Sequence, residues 1–137
     1  RAIDTGKLLT LTRGRKLNFV SRDDMAKAAA VVLTSEGHEN KTYEITAPQP
    51  YTYKDIAGIL TEISGKTVAY VEATSAQYAA YLEELGVPEN MRTQDSSALQ
   101  LTLENDWSEK TDTILAELIG AAQITTPKQF IQKVLQR

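Results

Sequence analysis

A chain of 137 residues, 42% apolar and 24% charged, is long enough for one domain with a modest core and is neither disordered nor fibrous in composition. Its net charge of -3 argues against non-specific nucleic-acid binding, and with no cysteine it has no disulfide, thiolate metal site or cysteine nucleophile, which fits a reducing, cytoplasmic setting. No run of about 18 apolar residues and no signal-like start occurs, so neither a membrane span nor secretion is expected.

Charge is unevenly spread. Arg1, Lys7, Arg13, Arg15, Lys16 and Arg22 face only Asp4 among acids in the first 22 residues, while Glu83, Glu84, Glu89, Glu104, Asp106 and Glu109 tip the later half acidic. A basic end can meet a phosphate, but exposed Lys and Arg need no ligand to explain them. The chain opens on Arg1 and not on a methionine, and it reads as a piece of a longer protein.

Arg1–Gly6 reads as the tail of an element stopped by Gly6, and Lys7–Thr12 is short and β-prone. Arg13-Gly14-Arg15 supplies a turn and Lys16–Val20 is again extended. A hairpin and two separate segments flanking a loop both fit. Asn18–Leu33 then passes from extended chain into a helix, with Ser21 as N-cap accepting from the Asp24 amide and the Asp24 carboxylate reaching back. Asp23 and Asp24 complement the positive end of the helix dipole. Ala26, Ala28, Ala29 and Ala30 remove bulk from more than one face, and Val31, Val32 and Leu33 follow, so the helix is expected to pack on two sides.

Thr34–Asn40 is a polar loop centred on Gly37. Lys41–Thr46 alternates, with Tyr43 and Ile45 on one face, and predicts a strand. Thr52 and Asp55 form a capping-box signature for a helix carrying Ile56, Ala57, Ile59, Leu60 and Ile63 up to Gly65, and Thr67–Glu72 predicts another strand, with Val68, Tyr70 and Glu72 on one face. Strand, helix, strand predicts a βαβ unit with a parallel pair. A helix from Thr74 or Ser75 runs to Gly86. Glu89–Asp106 is weakly helical, with Met91, Leu99, Leu101 and Leu103 as inward positions, and Trp107 is expected as a packing anchor. Thr111–Ile119 predicts a helix, and Thr126-Pro127-Lys128-Gln129 caps a terminal one. Residues 1–72 form an α/β portion and residues 73–137 a helical cap.

The chemistry the sequence lacks is informative. None of the seven glycines falls in G-x-G-x-x-G or a Walker loop, so these residues hold no pyrophosphate in the usual way. The one histidine, His38, lies in a polar loop and is expected as a solvated turn residue, and with no cysteine beside it no metal site is expected. None of the six tyrosines is followed four residues later by a lysine, the spacing that lowers a tyrosine pKa for proton transfer. No catalytic residue is assigned. Arg22, where a strand end passes into a helix start, is the charged residue best placed for a ligand, with a salt bridge to Asp23, Asp24 or a neighbouring carboxylate as the leading expectation.

Several separated motifs carry a resemblance in order: Phe19–Leu33 (Phe-Val-Ser-Arg-Asp-Asp-Met-Ala-Lys-Ala-Ala-Ala-Val-Val-Leu), Gly37–Pro48, Tyr53–Ala57, Ser64–Val68, Leu85–Glu89, Leu118-Ile119-Gly120 and the closing Thr-Pro-x-x-Phe. From Gly6 onward the chain resembles the C-terminal half of NmrA-like proteins, atypical short-chain dehydrogenase/reductases, and is most similar to NAD(P)H-dependent quinone oxidoreductases and azoreductases. It departs after Gly120, where such proteins often have Arg-x-Pro and this chain has Ala121-Ala122-Gln123.

The resemblance implies the C-terminal portion of a Rossmann-like fold, a few short and largely parallel strands with a helical substrate-side cap. Residues 1–72 would complete the sheet and 73–137 form the substrate-side lobe. NADP(H) or NAD(H) would be held by a preceding half, with none expected on this segment alone. Phe19, Arg22, Met91 and Trp107 would border the cleft for a quinone-like acceptor. A nucleotide-sensing regulator without catalysis and a free-standing interaction domain are the other readings. Alone, the segment is expected to expose an apolar patch and to self-associate as a homodimer or a domain-swapped assembly.

Overall fold

The computed structural model describes residues 1–92 and 107–136. In chain order the elements are α1 (Ala2–Thr5), β1 (Lys7–Thr10), α2 (Arg22–Thr34), α3 (Tyr53–Ser64), β2 (Ala69–Glu72), α4 (Ser75–Glu84), α5 (Ile114–Ile119) and α6 (Pro127–Leu135). Single 3-10 turns lie at Trp107–Glu109 and Ala121–Gln123. Two compact units share these elements: Arg1–Leu17 with Tyr51–Glu109, and Asn18–Pro50 with Lys110–Arg137. The expected boundary after Glu72 divides the chain by what each stretch would do in a larger protein. The units divide it by packing, and the two divisions are different in kind.

In the first unit, β1 and β2 run parallel, Lys7 opposite Ala69 and Thr10 opposite Glu72. The expected parallel pair is therefore present, but β2 is paired with β1 and not with Lys41–Thr46. Alternation in a sequence reports which face a segment buries and carries no information on its partner. Leu17 and Tyr51 form an isolated antiparallel bridge, so residues 13–17 return without making a hairpin.

Helix α3 packs against both strands and buries Ala57 against them. Its start is the predicted capping box: the Thr52 hydroxyl accepts from the Asp55 amide while the Asp55 carboxylate accepts from the Thr52 amide. Thr61 joins the helix to the next strand, donating to the Ala57 carbonyl and accepting the Val68 amide at 2.9 Å each. Buried Val68, Ala73 and Leu82 complete this core. Helix α4 opens on a second reciprocal cap, Thr74 with Gln77. Met91 lies in a helical turn at residues 89–92 and is 54% exposed, so it does not take the expected inward position. Leu99, Leu101 and Leu103 lie outside the described residues.

In the second unit, Ser21 caps α2 as predicted, accepting the Asp24 amide at 3.0 Å. The reciprocal half of that cap is not made, because the Asp24 carboxylate is drawn instead to Thr125. Helix α2 buries Asp24 and Ala28 and packs against α5, whose Leu115 is fully buried. Two-sided packing is not observed: Ala26, Ala29 and Ala30 are exposed, with Met25 51% and Leu33 84% accessible. In Lys41–Thr46 the half-buried Tyr43 and Ile45 flank an exposed Glu44 as predicted, but Thr46 is half-buried as well, and the segment has no strand partner among the described residues. Helix α5 starts later than expected because the Asp112 carboxylate takes the Ile114 amide at 2.8 Å and fixes the first turn there. Helix α6 begins at the predicted Thr126–Gln129 capping box with Pro127 in its first turn.

Candidate functional site

Parallel strands present their carboxyl ends to ligands in α/β sheets, because chain reversal there leaves loops and side chains converging at one rim. In the first unit that rim is polar. Thr10 and Thr12 are buried, their hydroxyls 3.3 Å apart. Across the pair, the Tyr70 hydroxyl donates to the Glu72 carboxylate, which also accepts the backbone amides of Arg13 at 2.7 Å and Gly14 at 3.3 Å. Both amides can converge because Arg13 and Gly14 each adopt the left-handed conformation, at φ 53° and 72°. On the same loop Arg15 pairs with Glu109 at 3.1 Å.

Burial, followed by the Glu72 carboxylate, raises the Tyr70 pKa against the opposing Thr12 and Thr10 hydroxyls. Tyr70 therefore stays a phenol and a donor. Glu72 is committed to three donors, so the cluster fixes the loop after β1 and offers no free base. The sequence placed Tyr70 and Glu72 on one face. Thr10, which ends β1, and Thr12 just beyond it have the same spacing and are the signal that would have completed the cluster.

The second unit places Phe19 and Arg22 on either side of the α2 N-cap. Phe19 is half-buried, and Arg22 is the exposed first residue of the helix. The expected salt bridge from Arg22 is not made among the described residues: Asp23 pairs with Lys133 at 3.1 Å and Asp24 with Lys27 at 3.0 Å. Burial would raise the Asp24 pKa, but the Thr125 amide, Lys27, Ser21 and the Thr125 hydroxyl outweigh it and hold the carboxyl below its ordinary value. Met91 and Trp107 belong to the first unit, Met91 exposed and Trp107 opening a 3-10 turn. The structure thus puts two of the four expected cleft residues at one helix start and the other two in a separate unit.

His38 is not the expected solvated residue. It is half-buried, with Nε2 2.9 Å from Ser35 Oγ and Nδ1 2.7 Å from the Tyr43 hydroxyl. No group of three or more His, Asp or Glu able to hold a metal occurs among the described residues. The head of α2, the longest helix among the described residues, is poorly suited to a dinucleotide pyrophosphate, because it already carries the Ser21 cap and the acids Asp23 and Asp24, which repel phosphate.

No family model matches the chain. Quinone oxidoreductase 2 of Escherichia coli K12 is 34% identical over 90 residues, 66% of this chain and 32% of that protein. The structure of a Citrobacter sp. triphenylmethane reductase superposes with a TM-score of 0.90 at 33% identity, covering 99% of this chain and 46% of that one, and a second structure of that reductase is complexed with NADP(H). An Escherichia coli NADPH-dependent quinone oxidoreductase superposes at 0.80 with 30% identity, covering 98% and 48%. The chain therefore spans about a third of that curated relative and just under half of these solved structures.

Proposed function

From homologues and structural neighbours that are NAD(P)H-dependent quinone and dye reductases, we propose that this chain is the C-terminal part of an oxidoreductase of quinone-reductase type. The supporting observation is the superposition on triphenylmethane reductase, which extends over 99% of the chain at 33% identity. In this reading the nicotinamide nucleotide, NADPH or NADH, is held by polypeptide outside these residues, consistent with the poor fit of the α2 head to a pyrophosphate. Phe19 and Arg22 are assigned to the side of a quinone-like acceptor: an aromatic face and a cation with no salt bridge among the described residues are suited to an apolar ring bearing carbonyl oxygens. A quinone takes up protons readily from water once reduced, so turnover needs no acid or base assigned among these residues.

The test is the purified full-length protein with NADPH or NADH and a simple benzoquinone, followed by loss of reduced-nicotinamide absorbance. Quinone-dependent oxidation is expected, and Arg22→Ala should raise KM for the quinone several-fold with nucleotide affinity unchanged. Nucleotide binding without turnover would replace this reading with a nucleotide-sensing role. Absence of nucleotide binding would overturn both.

A further inference from the structure

We infer that His38 is held as its Nε2–H tautomer and is a positioning residue, a clasp tying residues 41–46 to the C-terminal end of α2. Ser35 Oγ lies 2.6 Å from the Val31 carbonyl oxygen and 2.9 Å from His38 Nε2. Two oxygens that close repel unless a proton lies between them, so the single hydroxyl proton of Ser35 is committed to the carbonyl. Ser35 Oγ is then an acceptor toward His38, and Nε2 must carry the proton. Nδ1 is left with a lone pair, and the Tyr43 hydroxyl, 2.7 Å away, donates to it. Every proton along Tyr43, His38, Ser35 and Val31 points the same way.

This order decides the chemistry. A serine nucleophile needs a histidine that accepts its proton, whereas His38 donates toward Ser35. The role left to the chain of bonds follows from what else holds the segment. Residues 42–46 make no backbone–backbone hydrogen bond among the described residues. At their far end Thr46 Oγ1 accepts the Asp112 amide at 2.6 Å, and Asn18 brackets Ala47, accepting its amide at 2.6 Å and donating to its carbonyl at 2.8 Å. At the near end Lys41 donates its amide to the His38 carbonyl at 3.2 Å, and Tyr43 reaches the imidazole. Side chains at both ends thus do the holding that a strand partner does elsewhere. His38 is the anchor on the α2 side.

Nothing here requires a nicotinamide nucleotide, so the inference stands or falls apart from the reductase reading. Long-range proton–nitrogen correlation spectra of the full-length protein at mildly alkaline pH read the tautomer. The His38 signal is identified by its loss in His38→Asn or, should that variant not fold, by its shift in Tyr43→Phe. A protonated Nε2 with a bare Nδ1 is expected, and a protonated Nδ1 or a fast mixture of tautomers overturns the inference. In Tyr43→Phe the hydrogen-bonded amides at the two ends of the segment, Lys41 and Ala47, should exchange about tenfold faster, with α6 unchanged. Unaltered exchange at Lys41 and Ala47 would remove the positioning role.

Discussion

The Asp24 carboxylate accepts the Thr125 amide at 2.7 Å and the Thr125 hydroxyl at 3.1 Å, joining the first turn of α2 to the segment that leads into α6. Asp24 is fully buried, and Lys27 at 3.0 Å supplies the opposing charge from a side chain that is itself 47% exposed. Removing the carboxylate leaves the half-buried Thr125 amide and hydroxyl without this acceptor. Asp24→Ala should therefore cost about 3 kcal/mol. Asp24→Asn, which keeps one carbonyl acceptor, should cost less. Urea midpoints of the full-length protein check both, and a midpoint unchanged in Asp24→Ala would mean that Thr125 finds another acceptor.

The same carboxylate makes stability pH-dependent in a defined direction. Its folded pKa lies below the unfolded one, so its contribution is complete above the ordinary aspartate value of about 3.9 and is lost as pH falls through the folded value. Asp55, lowered first by the Thr52 hydroxyl and amide, adds to the same acid limb. Melting temperatures of wild type and Asp24→Asn should differ at pH 7, and the gap should close as pH falls below the ordinary aspartate value and through the folded one. A gap that widens on acidification would contradict the assignment.

Local signals were legible where a few neighbouring residues decide the outcome. Thr52 with Asp55, Thr126 with Gln129 and Ser21 with the Asp24 amide all cap the helices that the sequence predicts. What could not be read were choices between distant partners. Asp24 had two possible acceptor roles, and Thr125, far along the chain, prevailed over the Ser21 amide. β2 could pair with either of two β-prone segments. His38 sits in a loop polar enough to predict solvation, and only the fold brings Tyr43 and Ser35 to its two nitrogens. The four expected cleft residues were chosen by resemblance, and spacing along the chain gave no indication of which would share a unit.

Glu72 gives a second structural test. Its carboxylate is the acceptor for Arg13 and Gly14 amides and for Tyr70, so Glu72→Ala withdraws the anchor from a loop whose Arg13 is held at positive φ. A cost of about 1–3 kcal/mol is expected, with faster amide exchange at Arg13 and Gly14. Glu72→Gln should recover part of the loss because it keeps a carbonyl oxygen. Exchange at those two amides that matches wild type in Glu72→Ala would show that the turn is set by its own backbone preferences.

Met25, Ala29 and Leu33 succeed one another at four-residue spacing along α2, and all three are exposed. They form an apolar line on a helix whose opposite face is already packed against α5. Covering one Leu side chain is worth about 2 kcal/mol. The 137-residue polypeptide expressed by itself should therefore associate with increasing concentration, and Met25→Lys with Leu33→Lys should shift it toward monomer in light scattering. In the full-length protein the outcome should reverse. If further polypeptide covers this face, as the reductase reading requires, the same double substitution buries two charges and lowers stability by several kcal/mol. A full-length protein indifferent to both lysines would show that the face is open to solvent there too, and would remove the packing basis for placing this chain against a nucleotide-binding half.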